Sequence, residues 1–343
     1  MTTSATVEAR PRGIAPPWGL GAVAFLLVAL LVGLGVGAIG IAPWRIAESA
    51  LSHLPFLHVH QPLSSVEDAI VWQLRAPRVV LAALVGGMLA VAGASYQGVF
   101  RNPLVDPYLL GVAGGAGLGA TLVIAYGGGS LQLVAPAAFV GGAAAVVLAY
   151  ALGGRSRTST SLVLAGVTVA TFTAAVQTFV QQQHSNQLQN VYTWLLGGFA
   201  TATWHDVGVA TPYIAVSALV LVLHRRVLDV LSLGDEEAAS LGVDVGRVRV
   251  VIVVAATLGT AAAVAVSGLI VFVGIIVPHV VRMLVSTSYR AVVPLSLLAG
   301  GGFLALTDVL ARTILSPQEL PIGVITAFFG APFFAFVLRG ARR

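Results

Sequence analysis

The chain has 343 residues, of which 57% are hydrophobic and only 9% are charged, and its mean hydropathy is +0.95. Soluble domains carry about 25% charged residues, so this composition excludes a protein whose whole surface faces water. The net charge is +5, but the basic residues lie in pairs between apolar runs rather than in one patch, which excludes a nucleic-acid-binding surface.

All 18 basic residues are arginine, and the sequence contains no cysteine. A phosphate-binding Walker loop needs a lysine after its glycine-rich turn, so any ATP that drives this protein is expected to be hydrolysed by another subunit. Without cysteine the chain forms no disulfide, no Cys-ligated zinc site and no thiol nucleophile. We therefore predict no catalytic residue, no metal site and no cofactor bound by this chain.

The first segment, residues 1–17, carries Arg10 and Arg12 and precedes an apolar run from Trp18 to Gly40. Cleaved secretory signals have an apolar core of about 7–15 residues, so the longer run here predicts a retained first span. We expect residues 1–17 to form a cytoplasmic N-terminal tail and residues 18–340 to form one transmembrane domain.

Ten apolar runs follow one another along the chain, and about 20 such residues cross a bilayer as a helix. We therefore predict an all-α, polytopic membrane protein with about ten transmembrane helices. The predicted spans are residues 18–40, 79–100, 108–126, 131–152, 161–181, 206–223, 248–266, 269–285, 291–311 and 321–338. The weakest division between two spans is at Ser267 and Gly268. An even number of spans places both termini on the same side.

The arginines predict the orientation of this bundle. With the N-terminus inside, 14 of the 18 arginines fall in cytoplasmic segments, which is the excess that the positive-inside rule predicts. We therefore predict cytoplasmic N- and C-termini in a multi-pass protein of the inner membrane. The four arginines predicted on the outer side are Arg45, Arg75, Arg78 and Arg312.

Two prolines interrupt the chain after the second predicted span. Pro103 and Pro107 forbid a continuous helix, and Asn102 and Asp106 can bond the freed backbone groups. Broken backbone at membrane depth is tolerated only where protein or a water-filled cavity covers it. The segment is either a tight connecting turn or a constriction in a transport pathway.

The polar tract Gln181–His184 lies on the predicted outer side, on the same side as Trp194 and Trp204. It either lines an entrance or marks the aromatic belt at the membrane interface. His184 and His279 are interpreted as structural histidines rather than metal ligands.

The largest polar interruption on the predicted inner side lies at about 228–246. Gly234 can turn the chain, the acids at 235–237 favour a helix start through the helix dipole, and Gly242 can end the helix. This pattern predicts a short amphipathic helix. The segment is either a solvated loop or a docking helix for a cytoplasmic partner.

Near the end of the ninth span, Asp308 and Arg312 lie four residues apart on one helix face, which predicts an ion pair.

Several separated blocks of the sequence resemble the FecCD-type permeases of ABC importers, the family that carries iron-siderophore complexes, haem or cobalamin. The blocks occur in the family's order between residues 74 and 332. They are Arg75 to Arg78, Gly93 to Gln97, Arg101 to Pro107 with Leu110 and Gly111, Gly234 to Gly242, Gly268 to Arg282, Asp308 to Arg312, Glu319 to Val324, and Gly330 to Pro332. The run Gly197 to Phe199 departs from the pattern, because many relatives have Gly then Ser there.

The resemblance implies a permease and not an enzyme. It implies a dimer with a second copy or a paralogue, two ATP-binding-cassette ATPase subunits that use the ATP, and an extracytoplasmic substrate-binding protein. In the family the ATPase subunits dock on the loop after the sixth span. The residues here that match this coupling site are Gly234, Asp235, Glu236, Glu237, Ala238, Leu241 and Gly242.

The resemblance implies two further sites. Arg75, Arg78 and Arg312 match arginines that face outward and pair with glutamates of the binding protein. Without the resemblance, these arginines would be interpreted as membrane-interface anchors. A cytoplasmic gate is expected at positions matching Asn102, Leu104, Ser159, Thr160 and Ser161.

An ion-coupled secondary transporter is the alternative interpretation. Such proteins need ionisable groups near the bilayer midplane, whereas Asp308 and Arg282 lie towards the ends of almost uncharged spans. An intramembrane hydrolase would need paired acids, a histidine pattern for metal or an activated serine, and no such group stands out. The sequence therefore favours an ABC permease.

Overall fold

The computed structural model describes residues 14–37, 39–52, 62–127, 131–153 and 159–340. Within these ranges the chain is all-helical and contains no strand. The α-helices are α1 Pro16–Gly35, α2 Pro43–Ser52, α3 Ser65–Ala69, α4 Ala76–Phe100, α5 Val112–Tyr126, α6 Val134–Leu152, α7 Ser159–Gln183, α8 Leu188–Leu195, α9 Trp204–Leu223, α10 Arg225–Leu231, α11 Asp235–Ser240, α12 Val245–Ser267, α13 Val273–Leu284, α14 Tyr289–Thr313 and α15 Ile322–Gly340. A π-helical turn, Ile70–Arg75, joins α3 to α4, and 3-10 turns cover Leu131–Leu133 and Ser185–Gln187.

The prediction of an all-α protein with about ten apolar helices is confirmed. Seven helical segments in the described residues are long and apolar enough to cross a membrane, and three more apolar helices are shorter. The seven segments contain α1, α4, α6, α7, α9, α12 and α14, and the shorter helices are α5, α13 and α15. Residues 1–13 of the predicted tail lie outside the described residues, as do Arg155, Arg157, Arg342 and Arg343.

Helix α4 is the centre of the bundle. All but three of its side chains are buried, and it packs against α9, α12, α13 and α14. A Cβ added at Gly86 would meet the backbone of Gly300 in α14, and one added at Gly93 would meet Gly274 in α13. Because lipid provides no hydrophobic drive between helices, small residues that let two backbones meet stabilise this packing.

Two of the predicted spans are helices too short to cross the bilayer. Helix α5 has 15 residues and α13 has 12, which correspond to about 22 Å and 18 Å, less than the ~30 Å hydrocarbon core. Each follows a non-helical stretch, 101–111 before α5 and 268–272 before α13. The predicted spans 108–126 and 269–285 are corrected accordingly, because hydropathy does not separate extended apolar chain from helical apolar chain.

A non-helical turn bonds through its backbone to the ends of two helices, the last residue of α12 and the first residues of α15. Gly198 N–H donates to Ser267 O at 2.8 Å, Ile322 N–H donates to Gly197 O at 3.1 Å, and Gly323 N–H donates to the carbonyl oxygen of residue 196 at 3.0 Å. We call residues 196–198, 267–268 and 322–323 the backbone junction. The bonds satisfy polar groups that have no helical partner, as broken backbone in a membrane requires.

Glycine is required at two positions of the backbone junction. Gly197 and Gly268 both have φ near +68°, which residues with a Cβ rarely adopt. A Cβ at Gly268 would also meet the carbonyl oxygen of Trp194.

The length of α4 separates two ends of the bundle. Its 25 residues extend about 37 Å, with Arg78 in its first turn and Arg101 directly after its last. The Arg78 end also contains α2, α3 and the last turns of α1 and α14. The Arg101 end contains α10, α11 and the first turn of α14. The candidate sites lie at these two ends and along α7.

Candidate functional site

The loop after α4 is an ordered turn at the Arg101 end. Arg101 has φ of 51°, in the left-handed region, which ends α4. The Asn102 side chain accepts from Leu104 N–H at 3.0 Å, and the Asp106 side chain accepts from Tyr108 N–H at 2.8 Å. The prediction that Asn102 and Asp106 bond freed backbone groups is confirmed. Burial raises the pKa of Asp106 to about 6, against the opposing effect of the Tyr108 hydrogen bond.

Two side chains attach this loop to the first turn of α13 and to the non-helical segment before it. Gln97 Nε2 donates to Val105 O at 3.2 Å and to Gly274 O at 3.0 Å, and Tyr108 O–H donates to Ile270 O at 2.9 Å. Sequence reasoning assigned no role to Gln97, although a lone carboxamide near the end of an apolar helix indicates a hydrogen bond to another segment of the chain. These hydrogen bonds therefore join the loop to the start of α13.

The predicted gate residues all lie at the Arg101 end. Asn102 and Leu104 are exposed, and the Leu104 side chain is 48% accessible. The start of α7 reaches the same end, because a Cβ at Gly166 would touch the carbonyl oxygen of Leu109. At that start Thr160 is exposed and Ser161 is half-buried, while the Ser159 side chain lies outside the described part of the chain. The gating role of these residues stays a prediction.

One face of α7 is exposed along its whole length and is partly polar. The face includes Thr160, Leu164, Val167, Thr171, Ala175, Thr178 and Gln182, at spacings of three and four residues. The exposed face of α6, by contrast, is apolar, with Val140, Val147 and Leu148. The exposed side of α7 thus combines threonines and Gln182 with large apolar side chains that include Phe172 and Phe179. Sequence reasoning missed this face, because the face can be recognised only when the helices that cover the other side of α7 are known.

Helix α11 matches the short helix predicted after Gly234. Gly234 has φ of 140° and precedes the helix, and Gly242, with φ of 83°, follows it. Gly242 N–H donates to Ala239 O at 2.9 Å, and Val243 N–H donates to Ala238 O at 3.1 Å, which is the Schellman arrangement. The glycines therefore fix both ends of a helix of only 6 residues.

The side chains of α11 divide between the bundle and the surface. Ala238 is fully buried, whereas Leu241, Glu236 and Glu237 are exposed, with Leu241 at 64%. Asp235 contacts Arg249 of α12 at 3.0 Å and Arg101 at 3.4 Å. Asp235 therefore links α11 to the ends of α4 and α12.

Asp229, in α10, attaches this region to α14. Its carboxylate accepts from Tyr289 N–H at 2.6 Å and from the Ser288 hydroxyl at 2.8 Å, and it lies 3.4 Å from Arg290 Nε. A carboxylate at a helix N-terminus satisfies free N–H groups and favours the helix dipole. Sequence reasoning gave Asp229 no such role, because its partners lie about 60 residues away.

The three arginines predicted to face an outside partner are engaged within the chain. Arg78 Nε donates to both carboxylate oxygens of Asp308 at 2.9 Å, and Arg78 Nη1 donates to Glu319 at 2.8 Å. Arg312 Nε lies 3.7 Å from Asp308, so the predicted pair of Asp308 and Arg312 is confirmed. Arg75 donates to the carbonyl oxygen of Leu34 at 2.9 Å.

These arginines carry no freely exposed charge. Arg75 and Arg78 are 7% and 8% accessible, and the Arg312 side chain is 7% accessible. A guanidinium beside the apolar core is stabilised by a buried partner, and Asp308 is that partner for Arg78 and Arg312. Glu319 is the accessible member of the cluster, with its side chain 39% exposed. Docking at these arginines stays a prediction.

The profile of the FecCD transport family matches residues 25–340. The chain belongs to the FecCD transport family. The cobalamin import system permease protein BtuC of Halobacterium salinarum is 37% identical to it over 97% of this chain and 98% of that protein. The hemin transport system permease protein HmuU of Yersinia pestis is 36% identical over 80% of this chain and 85% of that protein.

Two further comparisons concern a relative that is named for a different cargo and a solved structure with the same fold. The molybdate import system permease protein MolB of Haemophilus influenzae is 32% identical over 94% of this chain and 95% of that protein. A solved ABC transporter of the metal-chelate type, in an inward-facing conformation, superposes with a TM-score of 0.84 at 29% identity, covering 95% of this chain and all of that chain. This FecCD chain is a multi-pass ABC importer permease of the inner membrane.

The described part of the FecCD chain contains no group of three or more His, Asp or Glu residues that could hold a metal ion. The ring of His184 packs against Tyr126 at a centroid distance of 4.4 Å, and the ring of His279 packs 5.9 Å from that of Phe333. Both histidines thus have aromatic neighbours, which agrees with their interpretation as structural residues.

Proposed function

We propose that this permease carries a metal chelate, such as an iron-siderophore complex, haem or cobalamin, across the inner membrane with energy from a separate ATPase. The observation that carries the proposal is α11, a short helix that presents Glu236, Glu237 and Leu241 and is joined to α4 and α12 through Asp235. The relatives named for cobalamin and hemin transport support a chelate as the cargo.

In this proposal two ATP-binding-cassette subunits dock on α11, and the Arg101 end is cytoplasmic. The absence of lysine from the sequence agrees with ATP hydrolysis by a partner. Closure of the ATPase pair pushes α11, and the ion pairs of Asp235 pass the displacement to the bundle. A two-state rearrangement then opens the pathway to one side at a time.

A substrate-binding protein docks at the opposite, Arg78 end, where the cluster of Arg75, Arg78 and Arg312 lies. Because these guanidinium groups are paired internally, an acidic side chain of the binding protein must compete with a carboxylate already present. The acidic side chain of the binding protein would displace the Glu319 carboxylate from Arg78, because Glu319 is accessible while Asp308 is fully buried. Complementary charge then fixes the register of the two proteins.

The exposed face of α7 lines the pathway, opposite the same face of a second permease copy or of a paralogue. Its threonines and Gln182 are compatible with water, and α7 reaches the Arg101 end beside the loop that holds Asn102 and Leu104. The gate is closed there by Leu104 and by the first residues of α7.

Transport by reconstituted vesicles tests the proposed function against a secondary transporter. The vesicles contain the permease, its ATPase subunits and its binding protein. We expect them to accumulate cargo only when ATP is present on the side of the membrane that carries the ATPase subunits. Accumulation is expected to persist when a proton uncoupler and a sodium ionophore are added. Uptake by the permease alone, or uptake abolished by the uncoupler with ATP present, would contradict the proposal.

Crosslinking at Leu104 tests the gate. Since the chain has no cysteine, Leu104→Cys introduces a single reactive thiol at an exposed position. We expect a short bis-maleimide to join two copies through this residue and to stop ATP-driven uptake, while Thr193→Cys, in α8 beyond the far end of α7, is not joined. Full uptake by a completely crosslinked Leu104→Cys dimer would show that this loop does not gate the pathway.

A further inference from the structure

A proline inside α13 leaves one carbonyl group of that helix without its usual donor. In an α-helix each carbonyl oxygen accepts from the N–H group four residues later, and proline has no N–H group. Pro278 lies inside α13, four residues after the buried Gly274. The carbonyl oxygen of Gly274 therefore needs a donor from outside its own helix, because an unmet backbone group is costly in the membrane.

Gln97 of α4 supplies this donor. Its Nε2 donates to Gly274 O at 3.0 Å and to Val105 O at 3.2 Å, and the residue is only 1% accessible. A carboxamide nitrogen carries two hydrogens, so one side chain satisfies a carbonyl group in α13 and another in the loop after α4. Gln97 therefore joins three segments: the end of α4, this loop and the first turn of α13.

The three segments also meet through their backbones. A Cβ added at Gly93, one turn before Gln97 in α4, would meet the carbonyl oxygen of Gly274. A Cβ added at Gly274 would in turn meet the ring of Pro107 in the loop. The missing side chains of the two glycines thus allow the close approach that brings Gly274 O within reach of Gln97.

We propose that Gln97 is a positioning residue for transport, which holds the gate loop, defined as residues 101–108, in register with the start of α13. The proposal rests on the proposed function, since it requires Leu104 of the gate loop to close the pathway. If α13 moves away from α4 without the gate loop, two buried carbonyl groups lose their donor. Each such loss corresponds to a factor of roughly 5 to 150 in an equilibrium constant. Gln97 therefore makes the position of the gate depend on the position of α13.

Gln97→Met tests this role, because methionine removes both donors but keeps an unbranched side chain of similar length. The permease, its ATPase subunits and its binding protein are reconstituted in vesicles, and cyanocobalamin and hemin are offered separately as cargo probes. We expect ATP-driven uptake of the transported probe to fall about tenfold or more. We also expect bis-maleimide crosslinking through Leu104→Cys to slow to a similar extent, and this measurement does not depend on the identity of the cargo.

Ser95→Ala is the matched control. Ser95 is fully buried in the same helix, and its hydroxyl donates to Val91 O of α4 itself at 2.8 Å. The substitution removes one buried hydrogen bond without touching the gate loop or α13. We expect uptake and crosslinking at close to the wild-type rates.

Pro278→Ala tests the cause assigned to the effect. Alanine restores an N–H group that can donate to Gly274 O within α13. We therefore expect Gln97→Met combined with Pro278→Ala to take up the probe at least about threefold faster than Gln97→Met alone, because the two substitutions act on one carbonyl group. Reductions that simply multiply would overturn the inference.

The outcomes separate the inference from the proposed function. Wild-type uptake and crosslinking in Gln97→Met overturn the inference and leave the proposed function standing. A lower melting temperature with unchanged crosslinking through Leu104→Cys also overturns it, since Gln97 would then contribute to stability alone. Absence of crosslinking through Leu104→Cys when Gln97 is intact contradicts the proposed gate and with it the inference. Uptake that does not depend on ATP overturns the proposed function itself.

Discussion

Replacing Asp308 with alanine is expected to lower the free energy of unfolding by about 3–5 kcal/mol, because the change leaves buried positive charge without its partner. Asp308 is fully buried and lies 2.8 Å from Arg78 and 3.7 Å from Arg312. After the substitution Arg78 retains only Glu319, and Arg312 retains the carbonyl oxygen of Gly33. The measurement is thermal unfolding of the purified permease in detergent.

Glu319→Gln is the matched control for this experiment. The Glu319 side chain is 39% exposed, so its ion pair with Arg78 contributes less than about 1 kcal/mol and the melting temperature should change little. Equal destabilisation by Asp308→Ala and Glu319→Gln would show that the buried position of Asp308 has no special importance.

Glu319→Gln also tests docking at the Arg78 end. Loss of this internal carboxylate frees Arg78 for an acid of the binding protein, so we expect binding to tighten about two- to fivefold, the factor that corresponds to an exposed ion pair. The measurement is the affinity of the binding protein for the permease in nanodiscs at low salt. Unchanged or weaker binding would contradict docking at this arginine.

Leu241→Asp is expected to reduce ATP-driven uptake at least about tenfold, because an apolar contact at the centre of a docking surface commonly contributes 2 kcal/mol or more. Leu241 is 64% exposed and follows the last turn of α11, while Ala238 anchors that helix inside the bundle. The substitution therefore alters the surface presented to the ATPase without altering the core.

Binding and melting measurements distinguish this effect from misfolding. We expect Leu241→Asp to melt like the wild type but to bind the ATPase subunits weakly in pull-down and titration experiments. Leu241→Met, which conserves volume and apolar character, is the control and should support uptake. Normal uptake by Leu241→Asp would show that α11 does not carry the coupling.

The features that could be predicted from the sequence are those set by local rules. Apolar runs long enough to cross a bilayer predicted the ten helices, glycines on both sides of three acids predicted α11, and a four-residue spacing predicted the pair of Asp308 and Arg312. Each of these signals lies within one window of the chain. The blocks that resemble FecCD permeases added the family, which the comparisons confirm.

The features that could not be predicted depend on contacts between distant segments. Arg78 and Asp308 are 230 residues apart, and no local pattern shows that they meet. The shortness of α13 was missed because residues 268–272 are as apolar as the helix that follows them. The exposed face of α7 became visible only when the helices covering its other side were known.

The backbone junction makes three distant stretches of chain depend on one another. Separating 196–198 from 322–323 leaves the amide groups of 322 and 323 without their acceptors and the carbonyl groups of 196 and 197 without their donors. A substitution in one of these segments therefore also removes hydrogen bonds of the others. Two substitutions there will cost less together than the sum of their separate costs. Substitutions should therefore destabilise the protein most at 196–198, 267–268 and 322–323, three segments that are distant in the sequence. Once one of these segments is disrupted, a second substitution in the junction should add little further loss of stability.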